Sequence, residues 1–288
     1  MFMNLNTGAI GIHGYTLPET IALARRVGFE GIDFDIREAA SLVEDMSFEH
    51  VRDLFSDAGV RPGQWSLPVA WQSDDQWQGD LKALPELASL GRDLGCTRTA
   101  TWCPPASDER PFEKNFAWHV DRFGAIAEVL AEYDCRLGIE FIGPATLRAG
   151  HRYPFIHTLA GMMRLADAIG TGNVGLLLDA WHLYTSGGEV DDLDAITAED
   201  VVTVHVNDAP EDVDRKAQID NVRCLPMETG VIDLPAFIRK LDAMGYKGPV
   251  TTEPFNARLN EIAEDAPEKA ARIVKEQLDE LWRAADLV

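Results

Sequence analysis

Four short apolar segments of the chain each end in a side chain that can ligate a cation or carry a proton. They are residues 137–140, 175–179, 201–205 and 249–253, and their last residues are Glu140, Asp179, His205 and Glu253. A carboxylate at the end of a buried strand is costly unless it is bound or paired. If there were only one such residue, it could equally well be the cap of a following helix. Four of them in one chain predict a shared site.

Three carboxylates and one imidazole predict a site for a divalent metal ion. Such a set cannot converge in a dry pocket without a compensating cation. Oxygen-rich sets with one nitrogen suit hard or borderline ions, so we expect one Mn²⁺, with Mg²⁺ or Co²⁺ as alternatives. Zn²⁺ prefers more nitrogen or sulfur and ranks lower. The competing interpretation is that the four residues are separate caps or salt-bridge partners.

The composition is that of a soluble globular protein with a strong negative charge. The 288 residues include 26 Lys plus Arg and 48 Asp plus Glu, a formal net charge of −22. This charge repels nucleic acid and anionic membrane surfaces, so neither is an expected partner. The cysteines form no CxxC pair, the first residues lack the pattern of a signal peptide, and no apolar run of about 18 residues occurs. We therefore expect a cytoplasmic protein.

Strand-like and helix-like segments alternate along the whole chain. The predicted strands are residues 7–13, 29–36, 60–69 and 96–103, together with the four segments that carry the site. The predicted helices are residues 16–27, 47–59, 74–94, 111–132, 155–169, 191–200, 233–244 and 257–285, the last of them divided at Pro267. Such alternation implies parallel pairing, and eight units imply one closed (β/α)8 barrel over residues 1–288. Catalytic groups in such barrels lie at the C-terminal ends of the strands, where the four residues should converge.

One segment is too long and too irregular to be an ordinary connection. Residues 207–232 follow the seventh predicted strand. Loops of this length inside a compact domain are usually functional or disordered. We expect the loop to cover the mouth of the barrel as a lid. The alternative is a docking surface for a partner subunit.

The strand-end residues resemble those of a known family. The order Glu140, Asp179-x-x-His182, His205 and Glu253, followed by Pro254 and Phe255, is similar to the pattern of the xylose isomerase-like TIM barrels, in particular ketose 3-epimerases and inosose dehydratases. The resemblance implies a TIM barrel in which the four strand-end residues hold one Mn²⁺-type ion. It also implies that Glu140 and Glu253 act as acid and base on opposite faces of a sugar.

The same resemblance suggests which residues contact the substrate. His182 is expected to touch a substrate hydroxyl. Arg223, which begins a segment similar to the family's Arg-x-x-Pro-Gly-Glu-Gly-x-Ile-Asp, is expected to bind a substrate oxygen, although Met227 and Thr229 stand where that segment has glycines. Five further residues near predicted strand ends are candidates for the pocket lining, namely His13, Trp65, Trp102, Phe141 and His151. The alternatives are core packing for the tryptophans and ordinary loop positions for the histidines.

These residues predict a metal-dependent sugar epimerase or isomerase. A metal-polarised carbonyl acidifies the neighbouring carbon, one carboxylate removes its proton, and a second returns a proton to the enediolate from the other face. Because the sequence has no glycine-rich phosphate loop, the expected substrate is a non-phosphorylated ketose or keto-polyol.

Two other kinds of enzyme use related sites. The alternative function is a dehydratase or lyase that acts on a 3-keto sugar, an inosose or a 3-keto-glycoside, including the C-glycoside-cleaving type that works with a partner subunit. A homo-oligomer is compatible with either function. Apurinic endonucleases resemble the chain in fold, but they need more histidines and a DNA-binding face, which the net charge of −22 argues against.

Overall fold

Eight parallel strands close into a barrel in this computed structural model, which describes residues 1–288. The strands are β1 (Phe2–Leu5), β2 (Gly31–Phe34), β3 (Arg61–Ser66), β4 (Arg98–Cys103), β5 (Arg136–Phe141), β6 (Val174–Asp179), β7 (Val201–Val206) and β8 (Pro249–Thr252). Each strand pairs with its neighbours in sequence, and β8 pairs with β1. The predicted (β/α)8 barrel is confirmed.

Ten α-helices connect and cover the strands. They are α1 (Leu17–Val27), α2 (Ile36–Asp45), α3 (Phe48–Ala58), α4 (Trp77–Asp93), α5 (Phe112–Ala131), α6 (Leu159–Ile169), α7 (Ala180–Thr185), α8 (Leu234–Ala243), α9 (Ala257–Asp265) and α10 (Pro267–Ala284). The predicted division at Pro267 is present, because α9 ends two residues before this proline. None of these helices combines the length and the apolar content that crossing a membrane requires.

The prediction for the first strand was wrong. The strand is Phe2–Leu5, whose four residues are all buried, and it pairs with β8 through Phe2 and Pro249. The predicted segment 7–13 instead contains a short 3-10 turn, Gly8–Ile10. Gly11 ends this turn with a φ of 79°, a conformation that glycine adopts readily and that strands do not use.

Differences elsewhere follow from capping side chains. The second predicted strand is too long, because Asp35 accepts a hydrogen bond from the backbone N–H of Arg37 and starts α2. The predicted helix at 191–200 is two 3-10 turns, Val190–Ala195 and Ala198–Asp200. The helix predicted at 47–59 is present as α3, capped by Ser47.

Strand register places Trp102, Glu140, Asp179 and His205 on one face of the barrel. Trp102 of β4 lies opposite Glu140 of β5, and Asp179 of β6 lies opposite His205 of β7. His205 in turn lies opposite Thr251 of β8. Side chains that are paired in this way in parallel strands point to the same face. Neighbouring residues in each strand point the other way, toward the helices.

The long loop 207–232 is organised around the buried carboxylate of Asp208. Its backbone pairs with that of Cys224 through hydrogen bonds of 3.0 and 2.9 Å. Its carboxylate accepts hydrogen bonds from the backbone N–H groups of Thr229, Gly230 and Ile232, at 3.1, 2.6 and 3.0 Å. One side chain therefore ties the two ends of the loop together.

Replacing Asp208 by Ala is expected to loosen this loop. Several backbone N–H groups lose their acceptor, so the free energy of unfolding should fall by about 1–3 kcal/mol. Chemical denaturation measures this change, and limited trypsin digestion at Arg215 and Lys216 reports the loop itself. Asp214→Ala is the matched control, since Asp214 is exposed and caps only the 3-10 turn Arg215–Ala217. Equal effects of the two substitutions would contradict this role of Asp208.

Candidate active site

Glu140, Asp179, His205 and Glu253 converge at the C-terminal mouth of the barrel. Each offers one ligand atom, and these four atoms lie within 4.8 Å of one another. His205 Nδ1 is 3.5 Å from Glu253 Oε2 and 3.9 Å from Glu140 Oε1. Glu140, Asp179 and His205 are buried, and Glu253 is partly buried. The convergence expected from their positions at strand ends is thus seen in the geometry.

Asp179 combines the two roles that a strand-end carboxylate can have. Its Oδ1 accepts a hydrogen bond of 2.7 Å from the backbone N–H of Trp181, which caps α7. Its Oδ2 remains available on the barrel side and accepts a 2.9 Å hydrogen bond from Arg223 Nη1. Helix capping therefore orients this carboxylate and leaves one of its oxygens in the site.

The electrostatics of the cluster favour a cation. Burial raises the pKa of Glu140 well above its usual value, and the neighbouring Glu253 and Asp179 raise it further. Burial also raises the pKa of Asp179, against the opposing effect of Arg223. Burial by itself lowers the pKa of His205, but the surrounding carboxylates raise it to about 9. A pocket that draws a proton onto a buried imidazole is one that stabilises positive charge.

The hydrogen bonding of the cluster also fits a divalent metal ion. Glu140 Oε1 and both ring nitrogens of His205 are buried and have no hydrogen-bond partner. Unpartnered polar atoms of this kind are rare in protein interiors and call for an explanation such as a bound ion. Three carboxylates and an imidazole form a ligand set suited to Mn²⁺ or Mg²⁺. We conclude that the residues present fit such an ion.

Arg223 reaches into the site from loop 207–232 and is almost completely buried. Its Nη2 donates a 2.9 Å hydrogen bond to Asp220 Oδ1, while Nη1 donates to Asp179. The guanidinium lies between the rings of Trp181 and Phe255, 4.6 and 4.7 Å from their centres. These contacts hold the N–H groups of the guanidinium in one orientation. They also hold this part of the loop beside the cluster.

His182 faces the same site from α7. Its Nδ1 accepts a 3.1 Å hydrogen bond from the backbone N–H of Gly143, and its Nε2 lies 3.2 Å from Arg223 Nη2. Burial, with Arg223 and His205, lowers the pKa of His182 well below its usual value. A side chain at position 143 is excluded, because its Cβ would lie 2.2 Å from the His182 carbonyl oxygen. His182 is therefore held between Gly143 and Arg223 at the side of the cavity.

Four of the predicted substrate residues line one cavity of about 540 Å³ above the cluster, namely His182, Arg223, Trp102 and His151. Glu140 and Glu253 form its floor. His151 lies at the edge, where its Nδ1 is 2.9 Å from Asp108 Oδ2. The cavity is where the predicted binding residues and the predicted ligands meet.

The other three predicted lining residues lie elsewhere. Trp65 is fully buried on the helix side of β3, and its indole N–H donates a 3.0 Å hydrogen bond to the Cys96 carbonyl oxygen. Phe141 is fully buried; it follows Glu140 directly and so points to the opposite face. His13 is exposed in the connection after the first 3-10 turn and does not line the cavity. Trp65 and Phe141 therefore pack in the core, and His13 occupies an ordinary loop position.

Three residues near the site were not predicted. Asp220 and Phe255 line the cavity from irregular segments, where no periodicity indicates which side chains point inward. Alternation in the second strand suggests a surface or salt-bridged Asp33, but Asp33 lies inside the barrel. There it accepts hydrogen bonds from the amides of Asn4 and Asn6, at 2.5 and 3.2 Å, and burial raises its pKa to about 7. Only strand pairing reveals this position.

Comparisons of the sequence and of the fold place the chain among known proteins. A family model described as xylose isomerase-like TIM barrel matches residues 21–281. The structure of a xylose isomerase domain protein from Alicyclobacillus acidocaldarius is similar with a TM-score of 0.87 and 31% sequence identity. The alignment covers 99% of this chain and 99% of that one.

Curated relatives are more distant. The inosose isomerase of Bacillus velezensis is 24% identical over 275 residues, which are 92% of each chain. The match to the inosose isomerase of Halalkalibacterium halodurans is 26% identical over 147 residues and spans about half of that protein, 49%. The 3-dehydroshikimate dehydratase of Pseudomonas aeruginosa is 26% identical over 263 residues, 88% of this chain and 38% of the longer enzyme. Because the family model covers nearly the whole chain, the protein belongs to the xylose isomerase-like TIM barrel family.

Proposed function

We propose that the protein is a divalent-metal-dependent epimerase or isomerase of a non-phosphorylated ketose or keto-polyol. The observation that carries the proposal is the pair Glu140 and Glu253, which meet beside His205 on the floor of one cavity. The inosose isomerases among the relatives support a cyclic keto-polyol as one candidate substrate. The dehydratase relative supports the alternative described below.

The two glutamates are proposed as the groups that move the proton. One removes a proton from the carbon beside the substrate carbonyl, and the other delivers a proton to the opposite face of the enediolate. Glu140, Asp179, His205 and Glu253 would hold the metal ion, for which we propose Mn²⁺. When bound, this ion would polarise the carbonyl and share the negative charge that develops beside it.

His182 and Arg223 are proposed to orient the substrate. Both line the cavity, and hydroxyl or carbonyl oxygens of a sugar are suitable hydrogen-bond partners for an imidazole and a guanidinium. Arg223, the one arginine that lines the cavity, is already paired with Asp179 and Asp220, so it is not free to pair with a phosphate group. These residues support a neutral, hydroxyl-rich substrate.

Dehydration is the second candidate, because one relative is a 3-dehydroshikimate dehydratase. The first proton abstraction is the same in both reactions. If the second carboxylate protonates a departing β-hydroxyl instead of the carbon, water leaves and an enone remains. A lyase acting on a 3-keto-glycoside differs only in the group that leaves, and it would include the type that requires a partner subunit.

Product analysis by NMR distinguishes these functions. The Mn²⁺-loaded protein is incubated with inososes, with free ketoses and with 3-dehydroshikimate. The proposed function predicts an epimer or a positional keto isomer of equal mass. Loss of water would favour the dehydratase, and no conversion of any ketose or keto-polyol would contradict the proposal. A size measurement of the same preparation shows whether activity belongs to a monomer, a homo-oligomer or an assembly with a partner.

Replacing Arg223 by Ala is expected to lower kcat/KM while metal content is retained. The loss should be about 2–3 kcal/mol of transition-state stabilisation if a charged hydrogen bond in the closed site disappears. Arg258→Ala is the control, since Arg258 is exposed on α9. Steady-state kinetics and metal analysis of both variants check the prediction. Normal kinetics of Arg223→Ala on the true substrate would exclude a role in binding.

A further inference from the structure

The candidate active-site cavity has two chemically different parts. Its floor is polar and contains Glu140, His182, Arg223 and Glu253. Its outer wall is apolar and is built mainly by Trp102, Pro104, Pro105, Ile142, Leu147 and Phe255. The proposed reaction uses the floor. No role in that reaction has been given to the wall.

Three side chains of the wall are unusually exposed for their type. Trp102, Leu147 and Phe255 are 47%, 39% and 36% exposed, whereas most large apolar side chains of the chain are buried. Apolar side chains that are exposed next to one another, with polar residues around them, mark binding surfaces. These three share one cavity, which makes chance exposure of separate residues a poor explanation.

The backbone holds Phe255 at this rim. Its φ is 42°, in the left-handed region that residues other than glycine rarely adopt. Conformations of this kind persist where the surrounding structure stabilises them, often beside ligands. Here the ring packs on the guanidinium of Arg223, at 4.7 Å from its centre. The apolar wall is thereby joined rigidly to the polar floor.

A free sugar would match this wall poorly, because only the C–H groups of its ring are apolar. Every carbon of such a sugar carries a hydroxyl or carbonyl oxygen, and an oxygen held against proline or leucine loses its hydrogen bonds to water. The cavity volume of about 540 Å³ lies in the range of roughly 300–1,000 Å³ that accommodates drug-sized ligands. Space and surface chemistry both indicate a substrate with a second, apolar part.

From this cavity we infer that the substrate is a keto sugar bearing an aromatic substituent, such as an aryl glycoside. The sugar ring occupies the floor, and the aromatic ring lies against Trp102 between Leu147 and Phe255. The inference rests on the proposed function for the sugar part and adds the substituent. Trp102 is then a specificity-determining residue that contacts the substituent.

Binding of a matched pair of ligands tests the inference. Phenyl and methyl 3-keto-β-D-glucopyranosides differ only in the substituent, and calorimetric titration of the Mn²⁺-loaded protein gives both dissociation constants. The phenyl compound should bind at least about tenfold more tightly, because its ring loses contact with water. Equal dissociation constants would overturn the inference.

Substitutions in the apolar wall test whether it causes the preference for the phenyl compound. Leu147→Gln should reduce the preference for the phenyl compound and leave binding of the methyl compound unchanged. Trp102→Ala should weaken binding of the phenyl compound far more than binding of the methyl compound, whereas Trp102→Phe should preserve much of the preference. Met46→Ala is the matched control, because Met46 is 60% exposed and does not line the cavity. If Trp102→Ala weakens both compounds equally, Trp102 stacks on the sugar itself and the inference is wrong.

The inference about the substituent and the proposed function can fail independently of each other. Conversion of free ketoses or inososes, followed by NMR, tests the chemistry without any substituent. If the protein converts free inososes but binds neither glycoside, only the inference about the aromatic substituent is overturned. If the protein binds the phenyl compound tightly but converts no keto sugar, the apolar wall is supported as a binding surface for the aromatic ring and the proposed reaction is contradicted.

Discussion

Replacing Glu253 by Gln is expected to abolish turnover while the fold is retained. Glu253 is proposed both as a metal ligand and as one of the two groups that move the proton. Its Oε2 lies 3.5 Å from His205 Nδ1 and 3.5 Å from Arg223 Nη1. A neutral amide of the same shape cannot accept the proton, and loss of a general base alone costs about 10²–10⁴-fold in rate. Losing a metal ligand in addition should bring kcat/KM to background.

The substitution should leave the local backbone in place. The backbone N–H of Glu253 donates a 2.9 Å hydrogen bond to Asn207 Oδ1, and this bond does not involve the replaced carboxylate. Thermal unfolding and circular dichroism check that the variant is folded before kinetics are measured. Glu261→Gln is the control, as Glu261 is exposed on α9. A Glu253→Gln enzyme with kcat/KM within a few fold of the unchanged protein contradicts the proposed mechanism.

Replacing Asp179 by Asn is expected to remove the bound metal. The side chain is completely buried, and its amide oxygen can still accept the hydrogen bond from Trp181 that caps α7. The substitution therefore removes a ligand charge with little change in shape. Outer-sphere partners of metal ligands are worth about 10–100-fold in metal affinity, so a direct ligand should be worth at least as much. Metal analysis after dialysis should show a sharp decrease, and activity should fall with it.

Asp233→Asn is a closely matched control for this substitution. Asp233 also caps a helix, accepting a 2.9 Å hydrogen bond from the backbone N–H of Ala236, but it lies outside the cluster. Its replacement should leave metal content unchanged. Titration of the unchanged protein with Mn²⁺, Mg²⁺, Co²⁺ and Zn²⁺ tests the proposed ion. Full metal occupancy and full activity in Asp179→Asn would contradict the proposed ligand set.

The convergence of the strand-end residues could be predicted from the sequence because its causes are local. Each apolar run is long enough for one buried strand, and each is followed by a residue that is costly to bury alone. Parallel strands place their C-terminal ends at one mouth, so four such residues had to meet. Glu140 and Asp179 lie on neighbouring strands, as this argument requires.

The cavity wall could not be predicted in the same way. Trp65 and Trp102 both lie near strand ends, but strand pairing turns Trp65 toward the helices and Trp102 toward the cavity. A shift by one residue exchanges the two faces, and the sequence indicated the ends of these strands only approximately. Phe141 shows the same limit more simply. Since it follows Glu140 directly, alternation alone could have assigned it to the core.

The remaining site residues lie in loops, and the sequence did not indicate how these loops fold. Arg223 was predicted to bind substrate from its motif, but its contacts with Asp179 and Asp220 depend on how loop 207–232 folds around Asp208. Phe255 lies in a conformation that its residue type does not indicate. Both positions are determined by tertiary contacts, and such contacts are not encoded by a local period.

Incorporation of solvent deuterium tests the central claim, that Glu140 and Glu253 exchange a proton at a carbon beside the substrate carbonyl. The Mn²⁺-loaded protein is incubated in D₂O with a ketose or keto-polyol that it converts, and substrate and product are examined by NMR from low conversion onward. Deuterium should appear at one carbon next to the carbonyl, and none should be incorporated with Glu253→Gln. Conversion that never admits solvent hydrogen, even after prolonged incubation, would contradict exchange through the two carboxylates and would favour a hydride shift between carbons.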